Sequence, residues 1–216
     1  MQLIDVRDNL PLNPNPKRRY KRRKLSKIKK IVLHSTGTGE PNLMPLAKYD
    51  VTPRPDHHIS PKGCPGFTYH YYINQTGEVF FTSDPKNITW HAGEHNGSGI
   101  GVCMQYKYVN NPNPPSNKQL QATCKLLTYL CLKLKIDPDN IKGHRELRGT
   151  GYKIVNGVKK LRKPCPGMLV SMSKIRYTVS MSVQKVLAQF GLYKGKIDGA
   201  FGPMSEAALA KYTGVN

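Results

Sequence analysis

The sequence predicts an α/β protein with a small helical module at its C-terminal end. Three observations carry this expectation. Short β-branched and aromatic runs recur through the middle of the chain, at Lys30–His34, Tyr69–Ile73, Glu78–Thr82 and Gly99–Tyr106. One long amphipathic helix follows, from Ser116 to about Lys135. After residue 177 the chain changes to two helical stripes separated by glycine-rich turns.

The run KIVLH at 30–34 reads as a buried strand ending at STGTG. His34 therefore falls at the C-terminal end of a strand, where open sheets place their chemistry. Residues 35–66 are rich in Gly, Pro and polar side chains, with one short helical turn around Met44–Tyr49. His57 and His58 lie in that stretch. Neighbours on an extended chain point to opposite sides, which argues against both binding one metal. Tyr69–Ile73 and Glu78–Thr82 read as a hairpin around Asn74–Gly77. Alternation sends Tyr69 and His70 to opposite faces, so that one can line a cleft while the other packs. Trp90, the single tryptophan, precedes His91, and Gly99–Tyr106 reads as a second buried strand with Cys103 as a small core residue.

Ser116 follows two prolines and suits the N-cap of the long helix. Leu120, Cys124, Leu127, Cys131 and Leu134 recur at three- and four-residue steps, which puts both cysteines on the core face. Asp137–Asn140 reads as a turn and Ile141–His144 as a short edge strand. Residues 168–177 show no strong pattern and read as a linker. In residues 178–216, Val183, Val186, Leu187 and Phe190 form one stripe, with Gly191 as its C-cap. Pro203 opens a second helix carrying Ala207, Ala208, Leu209 and Tyr212. A unit of about 40 residues has little core of its own, so it reads as an accessory module.

The 216 residues carry 34 Lys and Arg against 13 Asp and Glu, a formal net charge of +21. The excess is spread along the chain. Residues 1–30 hold 11 basic and 2 acidic side chains (net +9), residues 31–167 hold 17 and 9 (net +8), and residues 168–216 hold 6 and 2 (net +4). Such a balance points to a polyanionic partner, and nucleic acid, anionic lipid and anionic cell-wall polymer all qualify. Residues 1–29 read as a basic N-terminal arm, because ten basic residues crowd positions 17–30. As a free segment the arm is either a solvated tail or an electrostatic attachment to an anionic surface.

Five cysteines without repeating spacing argue against a disulfide framework and for a reducing compartment. The first residues lack the charged-then-apolar order of a signal peptide. No apolar run approaches 18 residues, so no membrane span is expected.

The chain is organised around residues 143–167, GHRELRGTGYKIVNGVKKLRKPCPG. The stretch opens on His144 and closes on Cys165, which is clamped between Pro164 and Pro166, with Lys163 two residues earlier. Neither His144 nor Cys165 makes a site alone. With a third ligand they would form a catalytic-type zinc centre of two imidazoles and a thiolate, its fourth position open. His34 is the candidate. In isolation it reads better as a histidine satisfied by a backbone group.

Residues 30–167 resemble the zinc-dependent N-acetylmuramoyl-L-alanine amidases, the family of amidase-type phage lysozymes and animal peptidoglycan recognition proteins. The motifs IVLHSTGTG, GFTYHYYINQTGEV, TWHAGEHNGSGIGVCM, GHRE and KPCPG occur in the family's order. Residues 178–216 resemble the peptidoglycan-binding module of cell-wall hydrolases, through VQKVL and FGLYKGKIDGAFG. The resemblance implies a mixed central sheet flanked by helices, with a zinc cleft on one side. It implies Zn2+ as cofactor and His34, His144 and Cys165 as its ligands. Tyr69 falls on the catalytic tyrosine, Lys163 on the catalytic lysine of the phage-lysozyme branch, and His91 on a substrate-binding histidine that lines the cleft. One departure is the loop from His144 to Cys165, enlarged at TGYKIVNGVKKLR, which bears on cleft shape rather than on metal binding.

The implied reaction is hydrolysis of the amide between N-acetylmuramic acid and L-alanine in bacterial peptidoglycan. The expected protein is a monomeric phage endolysin, made in the cytoplasm and acting on the wall after release. Its basic arm would meet anionic envelope polymers or the outer membrane. Glu146 is the fallback for Tyr69. The competing readings are a non-catalytic peptidoglycan-binding protein of the same fold, and a basic nucleic-acid-binding or regulatory protein.

Overall fold

The computed structural model describes residues 2–37, 41–109, 114–155 and 157–214. In chain order the elements are β1 (Leu3–Asp5), β2 (Lys30–Gly37), α1 (Leu43–Val51), β3 (Tyr71–Ile73), β4 (Val79–Phe81), β5 (Gly99–Lys107), α2 (Asn117–Leu134), β6 (Ile141–Gly143), β7 (Tyr152–Val155), β8 (Val158–Leu161), α3 (Met172–Gln189) and α4 (Pro203–Lys211). Six strands make one sheet in the order β1-β4-β3-β5-β2-β6, while β7 and β8 pair with each other. β2 runs parallel to both of its neighbours, β5 and β6. β3 and β4 form the antiparallel hairpin, so the sheet is mixed, as expected.

β2 and β5 are buried along nearly their whole length, which is why their sequences read as unbroken apolar runs. Their alternation separates two faces. Ile31, Leu33 and Met104 join Leu126, Leu127 and Leu130 of α2 in the main core. His34 and Cys103, paired across the sheet, belong to the opposite face, which α1 and Phe67 help to cover. Ser116 caps α2 by accepting a hydrogen bond from the Gln119 N–H at 3.0 Å. Lys135 ends the helix in the left-handed region at φ 54°.

The expected free arm is not an arm. β1 adds a parallel strand to β4, and the rest of residues 2–29 lies as a strap against the domain. Buried Asn13 donates to the carbonyls of Val51, Lys62 and Cys64 at 3.2, 2.9 and 3.0 Å. The Tyr20 hydroxyl donates to Gly66 O and Phe67 O. Arg23, also buried, donates to Pro85 O and Asn96 O. Lys17, Arg19, Lys21, Lys24, Lys27 and Lys29 stay exposed, so the strap keeps a cationic outer surface.

The expected linker is corrected too. α3 starts at Met172, with Ser171 accepting from the Lys174 N–H. Met172, Ile175 and Val179 continue the stripe of Val183 and Leu187, and all five enter the main core beside α2. Ala208, Leu209 and Tyr212 join the same core. The C-terminal helices therefore borrow apolar surface that about 40 residues could not supply alone. Gln184 ties their turns together, donating to Ala200 O at 2.8 Å and accepting from the Gly199 N–H at 2.9 Å.

Asn13→Ala removes the shared donor of three carbonyls, those of Val51 and Cys64 in buried bonds, which typically costs about 1–3 kcal/mol. Urea denaturation of N13A is expected to show that loss. An unchanged midpoint would return the segment to the status of a loose arm.

Candidate metal centre

Two adjacent strands bring the first two candidate ligands together. β6 pairs with β2 so that Gly143 lies opposite Leu33. The next residue in each segment is a histidine, His34 within β2 and His144 just past the end of β6, and their rings are 4.7 Å apart. The third candidate arrives from a loop. Cys165 Sγ stands 3.7 Å from His34 Nδ1. The ligand atoms of His34, His144 and Cys165 all lie within 4.8 Å of one another, and among the described residues this is the one such cluster.

Arg145 fastens the two ligand-bearing segments to each other, a role that its sequence position did not signal. Its N–H donates to Cys165 O at 2.7 Å. Its guanidinium donates to Gly167 O and Val170 O at 2.5 and 2.7 Å. Ser35 adds a bond from its hydroxyl to Pro166 O. Glu146 accepts from the Gly143 N–H at 2.8 Å. Arg176 holds the same carboxylate with two bonds, at 2.9 and 3.2 Å. Burial raises the Glu146 pKa, and the bonds from Arg176 and Gly143 outweigh it to leave the carboxylate below its ordinary range. Glu146 is thus held as a brace for the His144 turn.

His91 is buried beside His34, the two rings 5.1 Å apart. Its Nδ1 lies 3.0 Å from His34 Nε2, and its Nε2 lies 3.4 Å from Gly99 O. Only one tautomer pattern satisfies both contacts. His91 Nε2–H donates to the carbonyl, His91 Nδ1 accepts from His34 Nε2–H, and the His34 Nδ1 lone pair is left facing Cys165. Gly101 makes room for this ring, since a Cβ there would sit 2.8 Å from it. His70 is the next imidazole in the column, 5.9 Å from His91, and its Nδ1 accepts from the Gly101 N–H at 3.0 Å. Tyr69 and His70 precede β3, and the Tyr69 ring lies 5.1 Å from the His34 ring.

The residues fit a zinc ion. His144 Nε2 is buried and has no hydrogen-bond partner, an orphan that a metal would satisfy. The 3.7 Å from His34 Nδ1 to Cys165 Sγ matches the roughly 3.5 Å that separates nitrogen and sulfur on one tetrahedral zinc. Burial, and then the charges of Lys163 and His95, depress the His144 pKa to about 4. Burial, then His144, His91 and Lys163, hold His34 well below its ordinary value. Both are neutral at pH 7, as metal ligation requires. Burial pushes the Cys165 thiol up to about 11, against the Ser35 N–H and hydroxyl, the Lys163 charge and the Tyr108 hydroxyl. A cation at the cluster is what would hold it as a thiolate. Lys163 is exposed, its N–H donating to Gly151 O. Burial, then the neighbouring Cys103 and Cys165, hold the Tyr69 phenol protonated well above its ordinary pKa.

His57 and His58 do not point apart. The chain bends there, with His57 Nδ1 accepting from the Ile59 and Ser60 N–H groups. The two rings stack 5.1 Å apart at 8°. His57 Nε2 lies 2.9 Å from Asp50 O.

The family model described as N-acetylmuramoyl-L-alanine amidase matches residues 24–168. No curated protein matches the sequence. Among solved structures, N-acetylmuramoyl-L-alanine amidase LysC from Clostridium intestinale URNW is 21% identical with a TM-score of 0.56, covering 82% of this chain and 95% of its own. The Ph2119 endolysin from the Thermus scotoductus bacteriophage Ph2119 is 17% identical with a TM-score of 0.56, covering 82% and 99%. Drosophila peptidoglycan recognition protein SD is 16% identical with a TM-score of 0.57, covering 82% and 94%. These likenesses show the shared fold. With a family model spanning more than half its length, the chain belongs to the N-acetylmuramoyl-L-alanine amidase family.

Proposed function

We propose that the chain is a zinc-dependent endolysin hydrolysing the amide between N-acetylmuramic acid and L-alanine in peptidoglycan. The observation that carries this reading is the convergence of His34, His144 and Cys165, with the His144 Nε2 lone pair left unclaimed in a buried site. Zinc there would supply Lewis acidity, polarising the amide carbonyl and bringing the pKa of water to about 7. His91 holds His34 in the tautomer that frees Nδ1 for the metal. Tyr69, a phenol at pH 7, is the donor to the oxygen that gains charge during attack. Lys163 offers a cation to the same charge, and its field already reaches His34, His144 and Cys165. Donors in place before the reaction need no reorganisation, and losing one typically costs about 2.7–4 kcal/mol.

Residues 178–216 serve as the wall-binding module in this reading, supported by FGLYKGKIDGAFG and the compact helix pair. The exposed cations of the N-terminal strap suit anionic envelope polymers or an outer membrane. One chain holds the whole ligand set, so a monomer suffices. Among the described residues no helix is long and apolar enough to cross a membrane. In this reading a separate partner opens the membrane to release the protein onto the wall.

The test is digestion of purified peptidoglycan with and without a chelator, the products read by mass spectrometry. Free peptide stems and intact glycan strands, lost with chelator and restored by zinc, are expected. Cut glycan or cut stems would mean a different bond, and no products with zinc bound would leave a recognition protein. Tyr69→Phe is expected to lower kcat about 100-fold at unchanged zinc content, as for loss of one oxyanion donor; full activity would reduce Tyr69 to packing. His91→Ala is expected to weaken zinc binding about 10–100-fold, as for loss of a partner behind a metal-bound histidine. If instead zinc affinity holds and KM rises, His91 belongs to the substrate cleft after all.

A further inference from the structure

The enlarged segment between His144 and Cys165 folds as the β7–β8 hairpin, and nothing in the proposed reaction uses its outer half. In register from the tip, Val155 lies opposite Val158, Ile154 opposite Lys159, Lys153 opposite Lys160, and Tyr152 opposite Leu161. Gly157, at φ +75°, forms part of the turn. Ile154, Val158 and Leu161 are 48%, 60% and 50% exposed. Residues 148–163 hold six basic side chains, Arg148, Lys153, Lys159, Lys160, Arg162 and Lys163, and no acidic one.

Two features of this hairpin disfavour the free protein. Ile154, Val158 and Leu161 stand in water, and a lone two-stranded hairpin is marginally stable there. Lys153 and Lys160 also face each other directly, a like-charge pairing that is unfavourable without a counter-anion. Lys159 has the Tyr152 ring as its neighbour, at 4.3 Å. A partner that brings anions and an apolar layer together would relieve both.

We propose that the hairpin is a wedge that docks on an anionic phospholipid bilayer. Val155, Val158 and Ile154 enter the boundary of the acyl region, and Lys153, Lys159 and Lys160 meet the headgroups behind them. The Val155–Val158 rung at the tip is apolar and the next two rungs carry Lys159, Lys153 and Lys160, which matches the depth order of such an interface, with Tyr152 and Leu161 behind them at the root. A hydrated wall polymer offers anions but no apolar layer for the tip. Lys163 follows Val158 by five residues, so the tip stands at most about 17 Å from it at about 3.4 Å per residue. Docking would hold the metal cluster at the membrane-facing side of the wall, whatever bond is cut.

Co-sedimentation of the full chain tests this, with vesicles of phosphatidylglycerol and phosphatidylcholine against phosphatidylcholine alone. The parent protein is expected to bind the anionic vesicles. Lys153→Gln with Lys160→Gln should reduce partitioning about 30-fold, the effect of two lysines each worth about 1 kcal/mol at an anionic surface. Val158→Asn leaves the net charge unchanged and should reduce it about tenfold, with the thermal midpoint of the protein preserved. Parental partitioning by V158N would overturn the wedge, because it assigns binding to charge alone. Failure of the parent to bind anionic vesicles would overturn it too. So would variants that lose purified wall sacculi while keeping vesicles, which would make the occupant a wall polymer.

Discussion

The parallel pairing of β6 on β2 is the constraint from which the site follows. It sets Gly143 against Leu33, and so makes His144 and His34 leave the sheet side by side. A one-residue slip would turn every side chain of the strand to the other face, sending His34 into the α2 core and a leucine into the cleft. The register is protected by burial. Ile31 and Leu33 meet α2 while His34 faces the opposite way, so the same alternation that fills the core aims His34 at the cluster.

A second layer of polar contacts then makes the cluster definite. Arg145 ties the His144 turn to the Cys165 loop through three backbone carbonyls, and Glu146 is held in place by Arg176 from α3. α3 is therefore part of the support of the His34–His144–Cys165 cluster. Behind His34, the imidazoles of His91 and His70 form a column whose hydrogen bonds fix each ring's tautomer in turn. Burial is what keeps the column neutral, with His70 driven down to about 3 by desolvation ahead of the nearby Arg23 charge.

Much of this was legible in the sequence, for physical reasons that can be named. β2 and β5 are continuous apolar runs because both of their faces are covered, and α2 has a capped, periodic stripe. His34, His144 and Cys165 stood out through residue type and motif, and the fold does bring them together. The strap was not legible. Its order comes from single side chains such as Asn13, Tyr20 and Arg23 reaching backbone carbonyls, which leaves no periodicity, while the dense cations suggested repulsion and disorder. The start of α3 was missed because Met172, Ile175 and Val179 are spaced among Ser, Lys, Arg and Thr, and their burial depends on α2. The place of His91 turned on a ring nitrogen facing another ring across 57 positions of sequence, which no local pattern encodes.

The central claim is that these three side chains form one thiolate-containing metal site, and metal analysis coupled to cobalt substitution tests it most directly. The account predicts one zinc per chain, replaceable by cobalt, with a thiolate-to-cobalt charge-transfer absorption that disappears in Cys165→Ser. A folded protein that takes up no zinc, or a cobalt spectrum unchanged in C165S, would contradict it.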